Sequence, residues 1–197
     1  MSCDELLSSR YLYALELVAQ LFVNHTRDVS GVPFVTHLFG VSYIVRQLTE
    51  DEDVHIAALL HDTLEDIPPE RYSAESIKVD FGSRVLKLVL AVTHDDRRYE
   101  PHEARQRYLQ QLQKAPAAAS LISGADMLYN GRDILYWYER RPKEIKARFG
   151  GSRAQQRRWF WNGRLEIIAS KLGVDHVLVA ELRALVSKLE IVYQKIM

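Results

Sequence analysis

Apolar residues recur at steps of three and four along nearly the whole chain, and residues that would interrupt such a rhythm are scarce. Tyr11, Ala14, Leu15, Val18, Leu21 and Phe22 set the pattern near the start. Such spacing lines up one face of a helix of about 3.6 residues per turn and does not alternate across a strand. Gly and Pro number only 9 and 6 among 197 residues, a low count of turn-formers that favours long helices over many short strands. The fold class expected is all-α, a single bundle of about eight to ten helices.

Local signals divide that bundle. A first helix reads from about Asp4 to Asn24, and a loop through Gly31 and Pro33 leads to a second from Val35 to Leu48. Thr49 with Glu52 forms a capping-box pattern and opens a third helix, which runs to about Glu65 and stops at Pro68-Pro69. Ser73 can cap a short helix ending near Phe81-Gly82, and Val85, Leu88, Val89 and Val92 mark another before Thr93. Pro101 and Pro116 stand at the first turns of two more, reaching Gln113 and beyond Leu135. Short helices or a loop fill 139–151, and two last helices run from about Gln155 to Leu172 and from Val174 to Ile196.

Composition narrows the function. A length of 197 residues with 47% hydrophobic content reads as one domain, 1–197, and no stretch reaches the roughly 18 apolar residues of a membrane span. Met1 to Leu7 carries Asp4 and Glu5 and lacks the pattern of a signal peptide, so the expected location is cytoplasmic. Cys3 is the single cysteine, which excludes an internal disulfide and a four-cysteine zinc site. A net charge of zero argues against a general nucleic-acid or membrane-surface binder. The charge is nevertheless segregated. Glu50 to Asp80 holds ten acidic residues against Arg71 and Lys78, whereas Tyr138 to Arg164 holds nine Lys or Arg against Glu139 and Glu144. An acidic segment can collect a metal ion and a basic one can meet an anion.

Glycine-rich phosphate loops, a Walker lysine, His-Glu-x-x-His and a serine between glycines are all absent, so the chemistry falls to histidines and carboxylates. Ala58-Leu59-Leu60-His61-Asp62-Thr63-Leu64-Glu65-Asp66 closes an apolar helix with four ligating groups. On a continuous helix His61 and Glu65 share one stripe and Asp62 and Asp66 the next. Buried unpaired, such groups cost several kcal/mol, roughly, and a divalent cation can offset that. His37 opens an amphipathic helix, and Asp126 interrupts an apolar one, with Asn130 one turn further on. Two nitrogens and two oxygens from three helices suit Mn²⁺, Fe²⁺ or a similar ion.

The order His37, His61-Asp62, Asp126 resembles that of the HD-domain phosphohydrolases. More narrowly, Leu59 to Asp66, the preceding Gly31-Val32-Pro33-Phe34-Val35-Thr36-His37, and Ala125-Asp126 with Asn130 resemble the hydrolase domain of the RelA/SpoT alarmone enzymes and their stand-alone small relatives. The likeness spans roughly residues 11–172, followed by a C-terminal helix at 174–196. It implies one Mn²⁺ per chain, or another divalent transition metal, held by His37, His61, Asp62 and Asp126. It assigns Glu65 and Asp66 to positioning or deprotonating the attacking water, and the activity to removal of the 3′-pyrophosphate from guanosine tetra- or pentaphosphate, the ppGpp of the stringent response. The implied partner is a small phosphorylated nucleotide, with no membrane and no nucleic acid; a homo-oligomer is compatible with it. Expected substrate contacts are Arg27, Ser30, Asn130, Arg140, Arg157 and Arg158, with Arg141 and Lys143 as further candidates.

Departures from the family pattern are Asp28 and Val29 in place of an Arg-Lys pair, Ser123 and Met127 in place of basic residues, and Leu38 in place of a proline. Two alternatives stay open: an HD phosphohydrolase for another nucleotide or phosphorylated metabolite, and a non-catalytic nucleotide- or RNA-binding HD module. Outside the motif, His25, His55, His102 and His176 read as ordinary histidines and Trp159-Phe160-Trp161 as core. His94-Asp95-Asp96 reads as a solvated loop, with a second cation site as its alternative.

Overall fold

The computed structural model describes residues 7–94 and 99–197, and its ordered backbone there is helical apart from one isolated bridge between Thr26 and Pro33. The helices are α1 (Ser9–Leu21), α2 (Val35–Arg46), α3 (Glu52–Leu60), α4 (Thr63–Asp66), α5 (Ala74–Phe81), α6 (Ser83–Val92), α7 (Pro101–Lys114), α8 (Ala117–Arg140), α9 (Pro142–Phe149), α10 (Ser152–Leu172) and α11 (Val177–Ile196). Since α4 is a single turn, ten helices longer than that form the bundle among the described residues. None of the described helices is long and apolar enough to cross a membrane.

Helix α3 is the axis of the first half. Val54 through Leu60 are all buried, and the helix packs against α1, α2, α6 and α8. A helix apolar on every side has to be enclosed, and four neighbours enclose it. The second half packs α9, α10 and α11 against α8, with α7 laid on α10. Helix α8 belongs to both cores: Ala119, Ile122 and Ala125 join the first, while Met127, Leu128 and Ile134 join the second. Asp126 therefore lies on the seam between them.

Two local expectations are corrected. The third helix is capped by Asp51, whose carboxylate accepts from the Asp53 N–H, and Thr49 instead accepts from the Asp51 N–H. That helix also does not run unbroken to Glu65. The Ala58 carbonyl, which a continuing helix would offer to the Asp62 N–H, accepts from His61 Nδ1 at 2.8 Å. A side chain competing for a backbone acceptor ends the helix at Leu60 and places Asp62 at φ −92°, ψ −2°. His61/Glu65 and Asp62/Asp66 are thus not two stripes of one helix.

Other boundaries shift by a few residues. The segment 139–151 contains α9, α10 begins at Ser152, and α11 begins at Val177 behind His176, whose ring accepts from the Leu178 N–H. Ser73 caps α5 in a box with Ser76, and Gly82 at φ +91° turns the chain from α5 into α6. Phe160 and Trp161 are core as expected, whereas Trp159 is 40% exposed.

Candidate functional site

His37 comes from the first turn of α2, His61 and Asp62 from the break after α3, and Asp126 from the middle of α8. Their ligating atoms converge. His37 Nε2 and His61 Nε2 are 3.2 Å apart, Asp62 Oδ2 is 3.3 and 3.2 Å from those nitrogens, and Asp126 Oδ1 is 3.4 and 3.9 Å from them. His37, His61 and Asp126 alone already satisfy the spacing of a metal-holding group. Donors about 2.1 Å from a shared ion stand roughly 3 Å from one another, which is the spacing present here. Since His61 Nδ1 donates to the Ala58 carbonyl, Nε2 is the ring nitrogen that faces the cluster and can ligate an ion once it has lost its proton.

Packing holds the first ligand. The His37 ring lies between Phe34 and Tyr129, at centroid distances of 5.4 and 4.9 Å. Gly40 makes room, since a Cβ there would fall 2.1 Å from the Tyr129 ring.

Without a cation the cluster's electrostatics are those of a site built for positive charge. Burial opposes charge on His61, but Asp62 and Asp126 outweigh it and hold its pKa up at about 9. Burial likewise opposes charge on Asp62, yet His61 and His37 hold that carboxyl well below the usual range. For Asp126 burial is again outweighed, by Arg164, His37 and His61, and the carboxyl stays low. Glu65 and Asp66 behave oppositely. Burial first and the Asp62 charge second raise Glu65 well above the ordinary value and push Asp66 up to about 6. The site thus pairs ionised ligands with carboxyls that favour a proton, the division of labour of acid–base chemistry. Glu65 Oε1 accepts from the His94 N–H at 2.6 Å, which fixes α4 against the end of α6.

Beside Asp126 opens a cavity of about 240 Å³ whose wall includes Arg27, Asp28, Asn130, Asp133, Arg148, Arg157 and Arg164. Among the expected substrate contacts, Arg27, Asn130 and Arg157 line it. Arg27 donates to Asn130 Oδ1 at 2.7 Å and Asp133 Oδ2 at 3.0 Å, and Asn130 in turn donates to Asp126 Oδ1. Asn130 thereby both orients a ligand and faces the cavity. The structure does not bring Ser30, Arg140 or Arg158 there. Ser30 accepts from the Val32 N–H, Arg140 folds over Tyr136, and Arg158 is paired with Glu190. Arg141 donates to the Val29 carbonyl and Lys143 is exposed.

Two residues of this site escaped the sequence reading. Arg164, only 6% exposed, donates to Asp126 Oδ2 at 2.8 Å and to Ser123 Oγ at 3.0 Å. It shares the inner stripe of α10 with Phe160, Trp161 and Ile168, and a cation at that position was the available signal. Arg148 meets Asp28 at 2.7 Å across 120 residues of sequence, which no local pattern announces. His94 is not the solvated residue expected. Its ring stacks on Tyr108 at 3.7 Å, and burial, with Arg164 nearby, lowers its pKa to about 3. Asp95 and Asp96 lie outside the described residues.

Comparisons with known proteins agree with this fold. Residues 14–150 match the model of a family described as HD domain. A guanosine-3′,5′-bis(diphosphate) 3′-pyrophosphohydrolase, MESH1, of Mus musculus is 33% identical over 125 residues, covering 60% of this chain and 68% of its own. The Drosophila melanogaster protein of that name is 35% identical over 130 residues, covering 64% and 70%. A solved metazoan orthologue of SpoT, described as hydrolysing ppGpp, superposes with a TM-score of 0.75 at 26% identity, over 92% of this chain and 96% of that one. The His/His/Asp cluster suggests a divalent metal, and with the family model matching residues 14–150 this chain belongs to the HD-domain family.

Proposed function

We infer that this chain is a metal-dependent phosphohydrolase that removes the 3′-pyrophosphate from guanosine 3′,5′-bis(diphosphate). The observation that carries this reading is the junction at Asp126, where a cluster of two histidines and two aspartates adjoins a cavity walled by arginines. His37, His61, Asp62 and Asp126 would hold one divalent ion, and Mn²⁺ suits the two-nitrogen, two-oxygen set. Such an ion supplies Lewis-acid polarisation of a phosphoryl oxygen and acidification of water. Glu65 and Asp66 would handle the proton: as a carboxylate either could take it from the attacking water, and the raised pKa would help to hold it afterwards. Arg27 and Asn130 form the side of the cavity next to Asp126, where the phosphorylated end of the nucleotide is placed. The same reading gives one HD-type unit over 1–197, acting in the cytoplasm alone or as a homo-oligomer.

A panel of nucleotides assayed with Mn²⁺ tests this. Guanosine tetraphosphate should yield guanosine diphosphate and pyrophosphate. Turnover of other phosphoesters only, or binding with no turnover at all, would reject it.

A further inference from the structure

Helix α7 carries none of the candidate metal ligands and neither Glu65 nor Asp66, yet two of its side chains grip the backbone to which Glu65 is bonded. Helix α6 ends at Val92, so the Thr93 and His94 peptides lie beyond its hydrogen-bonded ladder and need partners from elsewhere. Gln111 donates to the Leu90 and Thr93 carbonyls at 2.9 and 3.0 Å. One turn earlier on α7, the Tyr108 ring lies flat on the His94 ring, with centroids 3.7 Å apart and planes 7° from parallel. These contacts hold the peptide whose N–H donates to Glu65 Oε1 at 2.6 Å.

Tyr108 is also tied to the other side of the site. Its hydroxyl donates to Ser123 Oγ at 2.9 Å, and Arg164 bonds both Ser123 Oγ, at 3.0 Å, and Asp126 Oδ2, at 2.8 Å. Phe160 meets the ring edge-on at 5.7 Å, and Tyr108 is only 3% exposed, so close packing leaves the ring little freedom. Packed and bonded groups thus run without a gap from Glu65 through His94, Tyr108, Ser123 and Arg164 to Asp126. A carboxyl that takes a proton from water beside a metal has to stand at a set distance from it, and a misplacement of about 1 Å costs on the order of 10²-fold in rate.

We propose that Tyr108 is a positioning residue: its ring holds the His94 peptide, and through that N–H the Glu65 carboxyl, at a fixed separation from the metal cluster. This rests on the hydrolase reading for the role of Glu65, while the link from Tyr108 to Glu65 rests on the packing alone. The ring carries the effect on Glu65, because the ring touches His94 and the hydroxyl is bonded to Ser123.

The test uses the full chain and follows exchange of the His94 amide proton by NMR together with hydrolysis of guanosine tetraphosphate in Mn²⁺. Tyr108→Leu removes the stack, and protection of that amide should fall at least about tenfold while the amides of α3 and α8 keep theirs. In the same variant kcat should fall at least about tenfold, with KM within about threefold and bound Mn²⁺ unchanged, as a displaced proton acceptor requires. Tyr108→Phe keeps the ring and should retain most of both. His94→Ala keeps the N–H and strips the stack from its less buried side, so it should repeat the Tyr108→Leu result and decides the matter if that variant does not fold. Combination separates positioning from a merely structural role: in a Glu65→Gln background, where the acceptor is already lost, Tyr108→Leu should lower kcat by no more than about twofold further. Unchanged protection of the His94 amide, losses that multiply in the double variant, or Tyr108→Phe as damaging as Tyr108→Leu would overturn the proposal. No hydrolysis by the parent would remove the hydrolase reading instead, and amide exchange would then decide the link to Glu65 by itself.

Discussion

Two regions meet at Asp126, one on each side of the same carboxylate, and they are assembled in opposite ways. The candidate metal cluster takes three of its four side chains from within 26 residues, on α2 and at the α3 break, and its surrounding segment is acidic. The cavity takes its arginines from the loop before α2 and from α9 and α10, more than 100 residues later, and its C-terminal wall comes from a basic segment. On the cluster side carboxylates crowd together and need a cation; on the cavity side most of the cations already have carboxylates. Charge balance thus differs across one residue: the first region is suited to a divalent cation, whereas the second is largely neutralised by its own carboxylates. Asp126 can serve both because its two oxygens divide the work, Oδ1 facing the histidines and Oδ2 held by Arg164.

The sharpest way to break this contrast is to remove a ligand. Asp62→Ala should lose the ion, read by metal analysis, and lose turnover to background; retained metal and rate would erase the distinction between the regions. Glu65→Gln should keep the ion yet lower kcat by roughly 10² to 10⁴, the usual contribution of a positioned acid or base. A nearly unchanged kcat would remove Glu65 from the proton transfer.

On the cavity side the largest effect expected is on stability. Arg164→Met leaves the buried Asp126 carboxylate without its partner, and breaking a buried pair in this way costs about 3–5 kcal/mol. Denaturant unfolding of the metal-free protein measures it, and a change below about 1 kcal/mol, the scale of a surface pair, would show that Arg164 does not anchor the seam. Proton competition gives a graded effect. With its pKa held at about 9 by Asp62 and Asp126, His61 is protonated in the metal-free protein near neutrality and must lose that proton to bind an ion. Apparent metal affinity should therefore climb about tenfold per pH unit up to about 9 and then level off; a flat profile from 6 to 9 would contradict it. The smallest effect belongs to Asp28 and Arg148. Both are more than half or about half exposed, at 61% and 50%, so Asp28→Asn should change stability by no more than about 1 kcal/mol.

The same contrast explains what was legible in the sequence. Helix type and order follow from local spacing, so the apolar stripes of α1, α2, α6 and α8 could be read directly. The side chains that converge could be picked out because burial makes an isolated His or Asp in an apolar run costly, as with Asp126 between Ala125 and Met127. The break at His61 could not, because it depends on a side chain outcompeting a backbone donor for the Ala58 carbonyl. Nor could the division of the arginines. Arg140, Arg157 and Arg158 look alike in sequence, and only the packing of α9, α10 and α11 turns one into the cavity, one onto Tyr136 and one toward Glu190. Arg164 stood in plain sight on the inner stripe of α10, where a charged residue among Phe160, Trp161 and Ile168 calls for a partner.

A single ion shared by side chains from α2, the α3 break and α8 is the centre of the proposed chemistry. Anomalous diffraction at the manganese edge, from crystals grown with Mn²⁺, tests this most directly. One strong peak is expected within about 2.3 Å of His37 Nε2, His61 Nε2, Asp62 and Asp126. A peak elsewhere, or none while those four side chains bond only to one another, would contradict it.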